Sequence, residues 1–147
     1  MHFLNLVSSK RAAVISFILA GLVATPALAQ DSSLTIQLNK VENNGGSCRM
    51  TYKIDNGTGQ DVAAASYEMA VYGKDDAIMK LIVLDFGALV SGHTQVVQFD
   101  LPDTGCKDVS RISVNDPAVA CQVAGGASSP LCSEKRKLET LTGIVFN

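Results

Sequence analysis

Tryptophan is absent from this chain, aromatic residues make up 5% of it, and histidine occurs only twice. Without tryptophan the core must be built mainly from Val, Ile, Leu, Ala and Met, and the tryptophan-against-disulfide arrangement of antibody domains is excluded. So few histidines exclude a His-rich metal site. His2 lies in a leader, which leaves His93 as the only imidazole available for catalysis. A Ser-His-Asp site would have to join His93 to Ser91 or Ser66, yet the chain has no Gly-x-Ser-x-Gly elbow. His93 therefore reads as an exposed residue of the turn Ser91-Gly92-His93-Thr94. Calcium-loop spacing is missing, so Asp75, Asp76, Asp100 and Asp103 read as turn acids. Gly125-Gly126 lacks the context of a phosphate loop, and no pair of carboxylates stands out for glycoside hydrolysis. The sequence thus assigns no catalytic residue, no metal ligand and no cofactor.

What the chain does have is an export leader. Lys10 and Arg11 precede an apolar stretch from Ala12 to Ala24, and Pro26 stands before Ala27-Leu28-Ala29, a small-x-small cleavage box. The apolar stretch is about a dozen residues, short of the roughly 20 needed to span a bilayer. Cleavage is expected between Ala29 and Gln30, with an uncleaved anchor as the alternative. Removal takes away Lys10 and Arg11, the only acidic or basic side chains there apart from His2, and moves the formal charge from -2 to -4. A mildly acidic body argues against nucleic acid or an anionic membrane as the main partner.

The segment from Gln30 to Asn147 is 118 residues long, room for one domain and one core. Its organising stretch is Gly45 to Gly59. Cys48, Met50, Tyr52 and Ile54 alternate with Arg49, Thr51, Lys53 and Asp55, the period-two pattern of a half-buried strand. Similar alternation predicts strands over 33–41, 48–55, 62–72, 78–86, 94–101, 108–115 and 138–146. Strand 78–86 is the most continuously apolar and is expected to be covered on both faces. Segment 117–136, rich in Ala, Gly and Ser, is expected to be a slack connection. Seven short strands with regular turns read as an all-β, antiparallel, immunoglobulin-like sandwich, with a small barrel as the alternative.

The four cysteines, Cys48, Cys106, Cys121 and Cys132, all follow the leader and form no Cys-x-x-Cys pair. An even count in an exported chain indicates two disulfides rather than zinc or a redox pair. Strand parity puts Cys48 and Cys106 at one end of a sandwich and Cys121 and Cys132 at the other. The expected bridges are therefore Cys48–Cys106 and Cys121–Cys132. Asn56-Gly57-Thr58 matches a glycosylation acceptor but reads more simply as a tight turn. Arg49 and Lys53 share the outward face of the organising strand. Arg111, on a strand expected to lie nearby, would extend them into a basic strip for an acidic partner.

The order Gly45-Gly46-Ser47-Cys48-Arg49, Asp55-Asn56, Gly92-His93-Thr94, Phe99-Asp100-Leu101-Pro102, then Cys106 and the run from Arg111 to Asp116, resembles a family of small exported alphaproteobacterial proteins often labelled by a Tat-pathway signal sequence. The resemblance covers most of the chain after the leader. It implies a periplasmic setting and no particular mechanism. The leader departs from that label in carrying Lys10-Arg11 instead of an arginine pair, which favours ordinary Sec export. The expected function is a non-catalytic binding or accessory module that contacts an envelope or periplasmic protein, with no membrane span after cleavage. The alternatives are a small hydrolase or redox enzyme, and a ligand carrier with a pocket between the sheets.

Overall fold

The computed structural model describes residues 32–116 and 118–147. The expected leader and its expected cleavage site lie outside the described residues. The described residues form nine strands: β1 Leu34–Asn44, β2 Ser47–Asn56, β3 Val62–Gly73, β4 Ile78–Leu89, β5 Thr94–Leu101, β6 Val109–Val114, β7 Ala120–Val123, β8 Arg136–Thr140 and β9 Val145–Phe146. A turn of 3-10 helix at Cys106–Asp108 precedes β6, and one turn of α-helix, α1 Leu131–Glu134, precedes β8.

The first hairpin follows from its turn. Gly45 and Gly46 both have positive φ, 54° and 88°, the geometry that a two-residue hairpin loop needs and that glycine adopts without a Cβ clash. It aligns β1 with β2 so that Leu34, Ile36, Leu38, Cys48, Met50, Tyr52 and Ile54 are all buried. The strands assemble into two sheets. One has the order β5-β2-β1-β8; the other has the order β4-β3-β6-β9, with β7 also paired to β3. Apolar side chains of both sheets form one continuous core, the expected two-sheet sandwich.

Aromatic rings take the place of the missing tryptophan. Tyr52 stands 5.6 Å from Phe86, 6.0 Å from Phe99 and 5.7 Å from Phe146 between ring centroids. Phe86 also meets Phe99 at 5.5 Å and Tyr67 at 6.0 Å. Tyr52 and Phe99 come from one sheet, and Phe86, Tyr67 and Phe146 from the other, so the contacts of Tyr52 with Phe86 and Phe146, and of Phe86 with Phe99, tie the layers together. Such pairs add about 1 kcal/mol each beyond their buried area.

Three features differ from the sequence expectations. Two marginal pairings, β1 with β8 and β6 with β9, are parallel. The stretch expected as one strand over 138–146 is divided between the sheets, because Thr140 to Ile144 turns on itself: the Thr140 hydroxyl accepts the Thr142 N–H, and the Thr142 hydroxyl accepts the Ile144 N–H. Segment 117–136 is not slack. It contributes β7 and α1, and Leu131 and Cys132 join the core. The Tyr67 hydroxyl donates to the Cys132 carbonyl at 2.9 Å, which anchors the segment to β3.

Both disulfides have the connectivity expected from parity, Cys48–Cys106 and Cys121–Cys132. The first links β2 to the turn before β6 and so joins the two sheets. Two closed bridges suit a chain that matures in an oxidising environment. Among the described residues, no helix is long and apolar enough to cross a membrane.

Candidate interaction surface

The expected basic strip does not form. Arg49 and Lys53 lie on β2 in one sheet, and Arg111 lies on β6 in the other. Each cation is also neutralised locally. Arg49 makes a two-pronged contact with Asp100 at 2.7 and 2.8 Å. Lys53 reaches Asp55 at 2.7 Å, and Arg111 pairs with Asp76. The Arg49 hydrogen bonds hold the Asp100 carboxyl below its ordinary range, and the Asp76 hydrogen bond raises Arg111. Sequence placed these cations correctly on outward faces. It could not show which sheet held β6, nor that cross-strand register would set Arg49 opposite Asp100.

The turn residues are structural as well. Asn56 is 2% exposed. Its amide nitrogen donates to the carbonyls of Gln60 and Leu89, and its amide oxygen accepts from the N–H and hydroxyl of Thr58. The glycosylation pattern is therefore occupied by a buried amide that closes the crossing from β2 to β3. His93 is exposed, and its Nδ1 lies 3.0 Å from the Ser91 carbonyl. Among the described residues no carboxylate orients its ring. Cys132 is fully buried in its bridge.

The surface with unspent binding capacity is the outer face of the β4-β3-β6-β9 sheet. The expectation that β4 is covered on both faces is incorrect: β4 is an edge strand, and Ile78, Leu81 and Val83 are each more than half exposed. Register places Ile78 beside Tyr72, Leu81 beside Ala70, and Val83 beside Glu68. The rows continue across β6 and β9, where Arg111 lies beside Tyr72 and Val145 beside Arg111. The Arg111 guanidinium stacks 3.6 Å from the centre of the Tyr72 ring, a cation–π contact. The Ser113 hydroxyl donates to the Tyr72 oxygen at 3.2 Å, and Asn115 donates to Glu68 at 2.6 Å. The result is an exposed apolar row, Ile78, Leu81 and Val83, against an immobilised Tyr–Arg pair. Tyrosine and arginine are the residue types that dominate binding energy at protein interfaces.

Sequence reasoning missed this face because a continuous apolar strand reads equally well as a central one. One signal was present. Lys80 interrupts the inward row of β4, and an inward-pointing charge is a device of edge strands. It pairs in register with the buried Val71 and sends its ammonium to the rim, where it donates to the Pro102 carbonyl at 2.6 Å.

The aromatic cluster lies in the core between the sheets, and depressions open around the fold. One, of about 130 Å³, is lined by Ile54, Leu89, Val90, His93, Thr94 and Gln95. Another, of about 350 Å³, sits beside the β3–β4 hairpin between Gly73, Lys74, Asp75, Met79 and Asp108.

No family model matches the chain, and a search of curated proteins finds no match. Among solved structures, IrmA from Escherichia coli is similar, with a TM-score of 0.55 over 72% of this chain and 90% of that one at 11% identity. At that identity the likeness is one of fold.

Proposed function

We propose that this chain is a non-catalytic binding or accessory module of the bacterial periplasm, and that it contacts another envelope protein through the outer face of the β4-β3-β6-β9 sheet. The observation that carries the reading is the exposed row Ile78, Leu81 and Val83 beside the stacked Tyr72–Arg111 pair. Among the described residues the opposite sheet offers no equivalent row: Val96 is the one largely exposed apolar side chain on its outer face. On its outer face Arg49, Lys53, Asp55, Asp100 and Glu139 are joined in hydrogen-bonded pairs. Of the three cations singled out from sequence, Arg111 has the setting of an interface residue, whereas Arg49 and Lys53 serve the sheet that holds them. The leader, the two bridges and the resemblance to exported alphaproteobacterial proteins support the compartment. The immunoglobulin-like reading of the sandwich agrees with a recognition role.

The test is site-directed photo-crosslinking in the native periplasm. A photoreactive amino acid in place of Leu81 should give one saturable adduct, competed away by unlabelled protein. The same group in place of Gln98, on the opposite sheet, should give none. Equal adducts from both positions, or a saturable adduct from Gln98 alone, would overturn the assignment of the face.

A further inference from the structure

The free edge of β4 borders this apolar face, and the charges around it select what can pair there. β3 is the only strand paired with β4 among the described residues; side chains of Gln95 and Asn56 take the Phe86 and Leu89 carbonyls towards its end, and the edge before Phe86 is open to strand addition. The apolar stretch 78–84 is flanked by acids. Asp75 and Asp76 lie in the hairpin at one end, and Asp85 lies on the outer face at the other. Asp76 is taken by Arg111. Asp75 and Asp85 accept only backbone N–H groups, from Ala77 and Gly87, and among the described residues no cation pairs with either. Asp75 also lines the depression shared with Asp108, Met79 and Lys74, where two carboxylates outnumber one ammonium. The other charges near the face are Glu68, held by Asn115, and Lys80, turned to Pro102.

This pattern disfavours a second copy. In the two-fold registers that bring Leu81 and Val83 of two chains together, Asp85 of one falls opposite Leu81, Met79 or Ala77 of the other. It would then lie against an apolar side chain or next to Asp75 and Asp76, and either arrangement is costly.

Resting on the binding role proposed above, the geometry points to a different occupant. It is an extended segment of a partner protein that adds to β4 as a sixth strand of its sheet. Its apolar residues recur at every second position, and it carries Lys or Arg at both ends, about 25 Å apart. One basic end meets Asp85 and the other enters the depression at Asp75 and Asp108. The alternating apolar side chains cover Ile78, Leu81 and Val83.

The probe is the synthetic peptide Lys-Thr-Val-Thr-Leu-Thr-Val-Thr-Lys, with a twin carrying Glu at both ends. Each is titrated into isotope-labelled protein purified after export, with amide shifts followed by NMR. The expected result is that the Lys-ended peptide perturbs residues 75–85 and binds at least about tenfold more tightly than its twin, with the advantage shrinking as salt is raised. Leu81→Lys, at a position 60% exposed, should abolish binding without unfolding, and Asp85→Lys should erase the preference for basic ends. Equal binding of the two peptides would overturn the inference, as would shifts centred on another edge. Sedimentation of the free protein as a dimer that Leu81→Lys dissolves would also overturn it, by assigning the edge to a second copy. A specific crosslink from position 81 together with failure of both peptides would leave the binding face standing and remove strand addition.

Discussion

Two tyrosines in the core show how far a single hydroxyl's surroundings govern its worth. Both are deeply buried, and desolvation raises the phenol of each above its ordinary value. Their partners differ. The Tyr52 hydroxyl has thioether acceptors, Met50 Sδ at 3.7 Å and Met69 Sδ at 3.9 Å, and thioether sulfur is a weak acceptor. The Tyr67 hydroxyl donates to the Cys132 carbonyl. Tyr52→Phe should therefore change stability by less than about 0.5 kcal/mol, and Tyr67→Phe should cost about 1–2 kcal/mol. Urea titration of the two variants checks this, and equal effects would refute the contrast. Asn56 is the sharper case. Asn56→Ala removes the amide that satisfies Leu89 and Gln60, and should destabilise by about 3 kcal/mol. A loss below about 1 kcal/mol would mean that water replaces the amide.

At the scale of elements, the bridges and the segment 117–136 can be ranked. The Cys48–Cys106 bridge closes a separation of 58 residues and the Cys121–Cys132 bridge one of 11. Loop entropy alone assigns them roughly 4 and roughly 3 kcal/mol. That reasoning, with a slack connection, would make the short bridge the more dispensable. The structure moves the balance. Cys132 is fully buried, Leu131 packs beside it, and β7 pairs with β3 over Val62 to Ser66. Cutting the short bridge therefore also loosens core packing, a further penalty of the large-to-small kind. The double variant Cys121→Ala with Cys132→Ala should destabilise to within about 1 kcal/mol of Cys48→Ala with Cys106→Ala, whose Cys48 is equally buried. Denaturant midpoints of the two double variants decide the matter. If the long-bridge variant is the less stable by 1 kcal/mol or more, the segment frays independently of the core.

For the molecule as a whole, pH is the simplest global probe. Asp100 and Asp116 are held low by hydrogen bonds from Arg49 and Arg136, and Glu139 by Lys137 and Gln37. At Asp55 burial pushes upward, but Lys53 and Thr94 outweigh it. A depressed carboxyl contributes stability above its unfolded value, about pH 4, and loses it as pH falls through the folded value. The two buried phenols have the opposite consequence. Their stabilisation is complete below the unfolded value near pH 10 and is lost as pH rises beyond it. Melting temperature should thus be flat from about pH 5 to pH 9 and fall on both sides. The double variant Tyr52→Phe with Tyr67→Phe should flatten the alkaline limb alone. An unchanged alkaline limb would assign it to other groups.

The division between chain order and tertiary structure runs through particular residues. Alternation at Cys48 to Asp55, glycines where φ must be positive, and an even cysteine count in a chain expected to be exported were enough for a two-sheet β-sandwich with its disulfide pairing. These depend on local periodicity and on strand parity, which a one-dimensional string carries. Sheet membership does not, because it depends on which strands cross between layers. That is why Arg111 separated from Arg49 and Lys53, and why Thr140 to Ile144 split the last predicted strand. Nor does a string distinguish an apolar strand at an edge from one at the centre. Ile78, Leu81 and Val83 have the same hydrophobicity in either place. Only the pairing of β4 with β3 alone leaves them facing water, and that exposure makes them a candidate for recognition rather than part of the core.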